Sequence, residues 1–167
     1  ENVVTGAGDD TITGSSADDT ISSGAGADTI DGGDGIDLID GGAGNDVISD
    51  GAGSDLVLAG SGDDTVIAGA GNDSLDGGDG TDTLNMSNAT GGAVVDLGAG
   101  TASSAETGND QFSNFENVTT GAGDDQITGS NGDNVINAGA GDDTIDGGAG
   151  DDTVAGGAGA DTFIFAD

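Results

Sequence analysis

The chain has 167 residues, of which 33 are Asp or Glu and none is Lys, Arg or His, giving a formal charge of −33. No carboxylate can therefore find a side-chain salt-bridge partner, and there is no basic patch to hold phosphate, nucleic acid or an acidic polysaccharide. Cys is absent too, which excludes a disulfide framework and thiolate metal sites. With only four Phe as aromatics and few large apolar residues, the chain matches a disordered polyanion in composition, unless cations from solution neutralise it.

Glu1-Asn2-Val3 opens the sequence as a lead-in strand over residues 1–4. Its start at Glu1 rather than Met suggests a processed product or an excised segment; no stretch resembles a signal peptide, and no apolar run approaches membrane-spanning length.

From residue 5 a nine-residue unit takes over, as in Gly41-Gly42-Ala43-Gly44-Asn45-Asp46-Val47-Ile48-Ser49. Six positions dominated by glycine, carboxyl and amide residues form a tight turn, and three residues with one large apolar side chain in the middle form a short half-buried strand. The apolar position falls at Ile12, Ile21, Ile30, Ile39, Ile48, Val57, Val66, Leu75 and Leu84, and again at Ile127, Ile136, Ile145, Val154 and Phe163. Two residues earlier stand Asp10, Asp19, Asp28, Asp37, Asp46, Asp55, Asp64, Asp73 and Asp82, then Asp125, Asn134, Asp143, Asp152 and Asp161. The pattern divides the chain into a first repeat block (5–85), an irregular insert (86–119) and a second block (120–167). In the insert, Ala93–Leu97 reads as a strand, Phe112, Phe115 and Val118 form an apolar cluster, and irregular continuation of the coil is favoured over a side cap.

A second period overlies the first. Glu1–Thr13 and Glu116–Thr128 agree at eleven of thirteen positions across an offset of 115 residues, as in a window on a larger tandem array.

Three-residue strands do not stand alone, so successive units must stack in parallel. With two units per turn, the apolar residues of opposing sheets meet inside. That slender core, flanked by stacked carboxylates, cannot offset the entropy of ordering the backbone. A hard divalent cation can: calcium takes six to eight oxygen ligands, and a glycine loop ending in Asp offers carboxylates and carbonyls, whereas zinc would require His or Cys.

GGAGNDVIS, GGDGIDLID and GGAGDDTVA resemble the GGxGxDxUx nonapeptides of the RTX (repeats-in-toxin) family, in which U is a large apolar residue. The resemblance covers about three quarters of the chain. It implies an all-β, right-handed parallel β-roll, with calcium between loops of successive turns, and export through a type I secretion channel before folding outside the cell. Carried over by position, the ligands are Asp10, Asp28, Asp46, Asp64 and Asp82 on one edge and Asp19, Asp37, Asp55 and Asp73 on the other. Asp125, Asp143, Asp161 and Asp152 serve in the second block, for about ten calcium ions in all. Two loops depart from the pattern: Gly14-Ser15-Ser16-Ala17 lacks two glycines, and Asn134 replaces the shared Asp, so weaker binding is expected at 14–19 and 129–134.

Without His, Cys or Lys the chain supports no serine-type triad, thiol chemistry or Schiff base, and no enzymatic activity is expected of it. Two functions compete. One is a calcium-dependent structural segment of a secreted or cell-surface protein, of adhesin, surface-layer or filament type; the 115-residue repeat favours it. The other is the carboxy-terminal calcium domain of a type I-secreted lipase, protease or toxin. Calcium is the expected partner, without nucleic acid or membrane insertion, and lateral or end-to-end self-association is compatible with the pattern. The outward apolar residues Leu38, Val47, Leu56, Leu58 and Ile67 are expected to pack against the insert or a neighbouring chain.

Overall fold

The computed structural model describes residues 1–165; Ala166 and Asp167, the end of the second block, lie outside the described residues. The described residues form no helix. They wind into a coil of short strands whose two flat sides are sheets of thirteen and eight strands.

In the first part of the coil the strands alternate between the sheets. β1 (Asn2–Val4), β3 (Thr20–Ala25), β5 (Leu38–Ala43), β8 (Leu56–Ser61) and β11 (Ser74–Asp79) follow one another in the larger sheet. β2 (Thr11–Thr13), β4 (Thr29–Asp31), β6 (Val47–Ser49), β9 (Thr65–Ile67) and β12 (Thr83–Asn85) do so in the smaller. The two-residue strands β7 (Ala52–Gly53) and β10 (Ala70–Gly71) pair along one loop edge.

Neighbouring strands are parallel and exchange residues 18 apart: Ile12 faces Ile30, Ile30 faces Ile48, and Ile21 faces Ile39. Two nonapeptides therefore make one turn. Because strand side chains alternate in direction, the middle residue of each unit points inward, and Ile21, Ile30, Ile39, Ile48, Val57, Val66 and Leu84 are fully buried between the sheets.

Glycine permits the sharp exit from each strand. Gly42 has φ of +94°, and a Cβ there would overlap the carbonyl oxygen of Gly24 in the adjacent turn, so both backbone conformation and stacking demand a bare residue.

The insert enters the sheets and does not form a separate cap. β13 (Val94–Asp96), β14 (Thr101–Ser104) and β15 (Gly108–Ser113) are an antiparallel meander within the larger sheet. β15 pairs with β11, placing Phe112 beside Leu75, and β16 (Asn117–Thr119) pairs with β12, placing Val118 beside Leu84. β13 pairs forward with β17 (Gln126–Thr128), from which β19 (Thr144–Asp146) and β21 (Thr162–Ile164) continue the larger sheet. β18 (Val135–Asn137) and β20 (Thr153–Ala155) continue the smaller one. Phe112 and Phe115 meet edge to face at 5.8 Å between centroids and fill the core where the strands change direction.

The insert leaves the mid-chain apolar face bare. Leu38 and Leu56 lie side by side on the larger sheet, 39% and 41% exposed, and Val47 and Leu58 are exposed as well.

Candidate metal centre

Each loop of the repeat ends, just before a strand, in an Asp or, at one place, in Asn134, and the Asp form two ladders. On the first edge, Asp46 Oδ1 accepts the backbone N–H of Asp28 at 2.8 Å, and Asp64 Oδ1 that of Asp46 at 2.7 Å. Asp28 and Asp82 repeat the contact with Asp10 and Asp64. On the second edge Asp37, Asp55 and Asp73 accept from Asp19, Asp37 and Asp55 at 2.8–2.9 Å. Beyond the insert, Asp125 accepts from Ala93, Asp143 from Asp125, Asp161 from Asp143, and Asp152 from Asn134. One oxygen of each carboxylate thus caps the turn before it.

The second oxygen has no such partner. Oδ2 of Asp28, Asp37, Asp46, Asp55, Asp64, Asp73, Asp82, Asp125 and Asp143 is buried without a hydrogen bond. An ionised oxygen in that position is expensive unless a cation meets it. The electrostatics agree. Burial, aided by neighbouring carboxylates, pushes Asp55 and Asp64 up to about 6, and desolvation likewise raises Asp37, Asp46, Asp73, Asp82 and Asp143. Asp10, Asp152 and Asp161, nearer the ends of the coil, are only half-buried.

The two departing loops solve the same problem differently. Asp19 accepts the backbone N–H of Ser15 at 2.7 Å on its second oxygen. Asn134 Oδ1 accepts from Ser130 N–H at 2.7 Å, while its Nδ2 donates to the Glu116 carbonyl at 2.7 Å and to Ser130 Oγ. In both loops Ser occupies the position held by a positive-φ glycine in most loops, and its N–H turns onto the side chain that ends the loop. Asn134 brings its own donor to a place where other loops present only oxygen.

Three further acidic residues line these edges, and two of them continue the ladders at spacings that are not multiples of nine. Asp110 accepts the N–H of Asp73 at 3.1 Å, Glu116 accepts that of Asp82 at 2.8 Å, and both carry the ladders into the insert. Asp110 Oδ2 is buried without a partner, and desolvation pushes the group up to about 7. The signal for it is Gly108-Asn109-Asp110-Gln111-Phe112, which repeats the form of Gly71-Asn72-Asp73-Ser74-Leu75 at a spacing of 37. The third, Asp50, is fully buried at the first position of its unit, where the other thirteen units carry Gly, Ala, Ser or Thr.

The donor set is oxygen throughout, repeated at each turn and carrying negative charge, which suits a hard cation of variable coordination such as calcium. A family model described as the RTX calcium-binding nonapeptide repeat, in four copies, matches residues 1–30, 31–66, 58–85, 112–145 and 128–163. Among curated proteins, none matches the chain. With the family model spanning most of its length and the strands stacked in the two-unit register, the chain belongs to the RTX calcium-binding nonapeptide-repeat family and is a calcium-binding β-roll module.

Proposed function

We propose that this module is a calcium-dependent structural segment of a secreted or cell-surface protein, unfolded where calcium is scarce and wound into a rigid coil where it is plentiful. Its role is mechanical and non-catalytic, as in an adhesin, surface-layer or filament extender. The thirteen predicted Asp, nine of them with a buried unpartnered oxygen, line both edges as the cation ligands, in a count of about ten ions.

The observation that carries this reading is the set of buried, unpartnered carboxylate oxygens in a chain whose side chains include no cation. Ordering them in one register stacks like charges from turn to turn, and an ion between turns converts that repulsion into attraction. Metal binding and folding are then one reaction, and the calcium concentration outside the cell decides where it happens. The 115-residue internal repeat supports an extender, because repeated coils add length.

Calorimetry joined to circular dichroism tests this. Titrating calcium into the ion-free chain should bind several ions cooperatively while the strand signal appears. Binding of one ion or none, with strand content unchanged, would refute it.

A further inference from the structure

Asp50 sets one gap of the coil apart. It occupies the first position of its loop, where every other unit carries a small uncharged residue, and it is fully buried. Its Oδ1 is held by two backbone N–H groups, Gly51 at 2.8 Å and Gly69 of the following turn at 2.6 Å. Those bonds fix the side chain across the gap between loops 50–55 and 68–73. Its Oδ2 is buried and unpartnered, as are those of Asp55 and Asp73, the two residues that end these loops. One oxygen from each of the three lies within 4.8 Å of the others. Two oxygens on a single calcium, each at 2.3–2.6 Å, can stand up to about 5 Å apart, so one ion can touch all three.

We propose that Asp50, Asp55 and Asp73 form a three-carboxylate cation site that binds more tightly than the other gaps and prefers trivalent over divalent ions more strongly than they do. The proposal rests on calcium binding by the module and adds a rank order among its gaps. The loop-ending ladder supplies every gap with carboxylates from the same repeat position; here a third, held by backbone amides from two turns, adds a full negative charge inside the coil. Ligand charge and rigidity set calcium affinity, and both are greatest here. A higher ligand charge also favours the more highly charged ion, because the attraction scales with the product of the charges. At this first position the backbone does not adopt a positive φ, either at Asp50 or at its equivalents Gly32 and Gly41, so the conformation there does not require glycine.

The test starts from the folded, calcium-loaded chain, from which calcium is withdrawn by graded chelator and, separately, displaced by terbium, followed by ion counting and terbium luminescence. One ion per chain should bind about tenfold or more tightly than the rest, and the first terbium should replace one calcium before the others exchange. Asp50→Asn and Asp50→Gly should both lose that leading ion while reaching the wild-type strand signal in saturating calcium. Should Asp50→Asn fail to fold, Asp50→Gly, which restores the residue of Gly32 and Gly41, decides. Uniform binding in the wild type, uniform terbium exchange, or a leading ion that persists in the folded variants would overturn this site while leaving calcium binding intact. A wild-type chain that binds no ions at all would overturn both.

Discussion

Loops 41–46 and 129–134 occupy the same edge of the coil and the same place in the nine-residue unit, yet they meet burial in opposite ways. The first ends in Asp46, with one oxygen on the N–H of Asp28 and the other buried without a partner. The second ends in Asn134, whose amide nitrogen donates to the Glu116 carbonyl and whose oxygen is held by Ser130. One loop leaves an oxygen for a cation to meet; the other meets its surroundings with an amide donor of its own. Loop 14–19 shares the second-position Ser but ends in a carboxylate, Asp19, whose second oxygen takes the Ser15 N–H, and both loops belong to the second unit after an ENV strand.

The severest way to break the comparison removes what both kinds of turn share, the dry core. Ile48→Asp places a charge where Ile48 is wholly buried between the sheets, at a cost of several kcal/mol. Circular dichroism should show no coil even in millimolar calcium, and a folded variant would mean the strand register is wrong.

Acid sharpens the contrast. Asp55 and Asp64 titrate near 6, Asp110 near 7 and Asp50 near 8, all raised mainly by burial, against about 4 in the unfolded chain. The ion-free coil therefore holds more protons than the unfolded chain. Protonation supports it fully below about pH 4, and that support is lost as pH rises through 6 to 8. Strand content of the ion-free chain should be higher at pH 4 than at pH 8, and the gain from calcium largest at pH 8. A pH-independent gain would show that these carboxylates do not exchange protons for calcium.

Asp46→Ala acts on one ion-dependent loop. It removes a carboxylate shared by the gaps on either side, so calorimetry should count about two fewer ions, with a lower melting temperature in calcium. An unchanged count would contradict the sharing. Asn134→Asp should have the smallest effect and the opposite sign: loss of the donated hydrogen bond sets a carboxylate against the Glu116 carbonyl, and the chain should take up about one more ion. No gain would show that the loop's shape, and not its missing charge, keeps ions out.

Much of the coil is legible in the sequence. A strict spacing of nine puts Ile12, Ile30 and Ile48 in one column and Ile21 and Ile39 in the other, because period-two strands joined by fixed-length loops leave no freedom of register. Nine of the thirteen predicted Asp carry the buried, unpartnered oxygen for the same reason. What escaped lies where the count slips. Asp110 and Glu116 continue the ladders at spacings of 37 and 34, neither a multiple of nine, because a meander is added to one sheet only. Asp50 was invisible for another reason: the direction of a first-position side chain depends on the turn stacked above it, and no spacing encodes that contact. Of the two coverings expected for Leu38 and Leu56, the insert or a neighbouring chain, the insert does not serve, because its strands extend the sheet in its own plane.

The most direct test of the whole account is the far-ultraviolet circular dichroism of the chain at pH 8 and low salt, stripped of metal and then given calcium. Stripped, it should lose its strand signature, since nothing in its side chains neutralises the stacked carboxylates; calcium should bring the signature back. Full strand content in the stripped sample would mean that the coil stands without ions, and the account would be wrong.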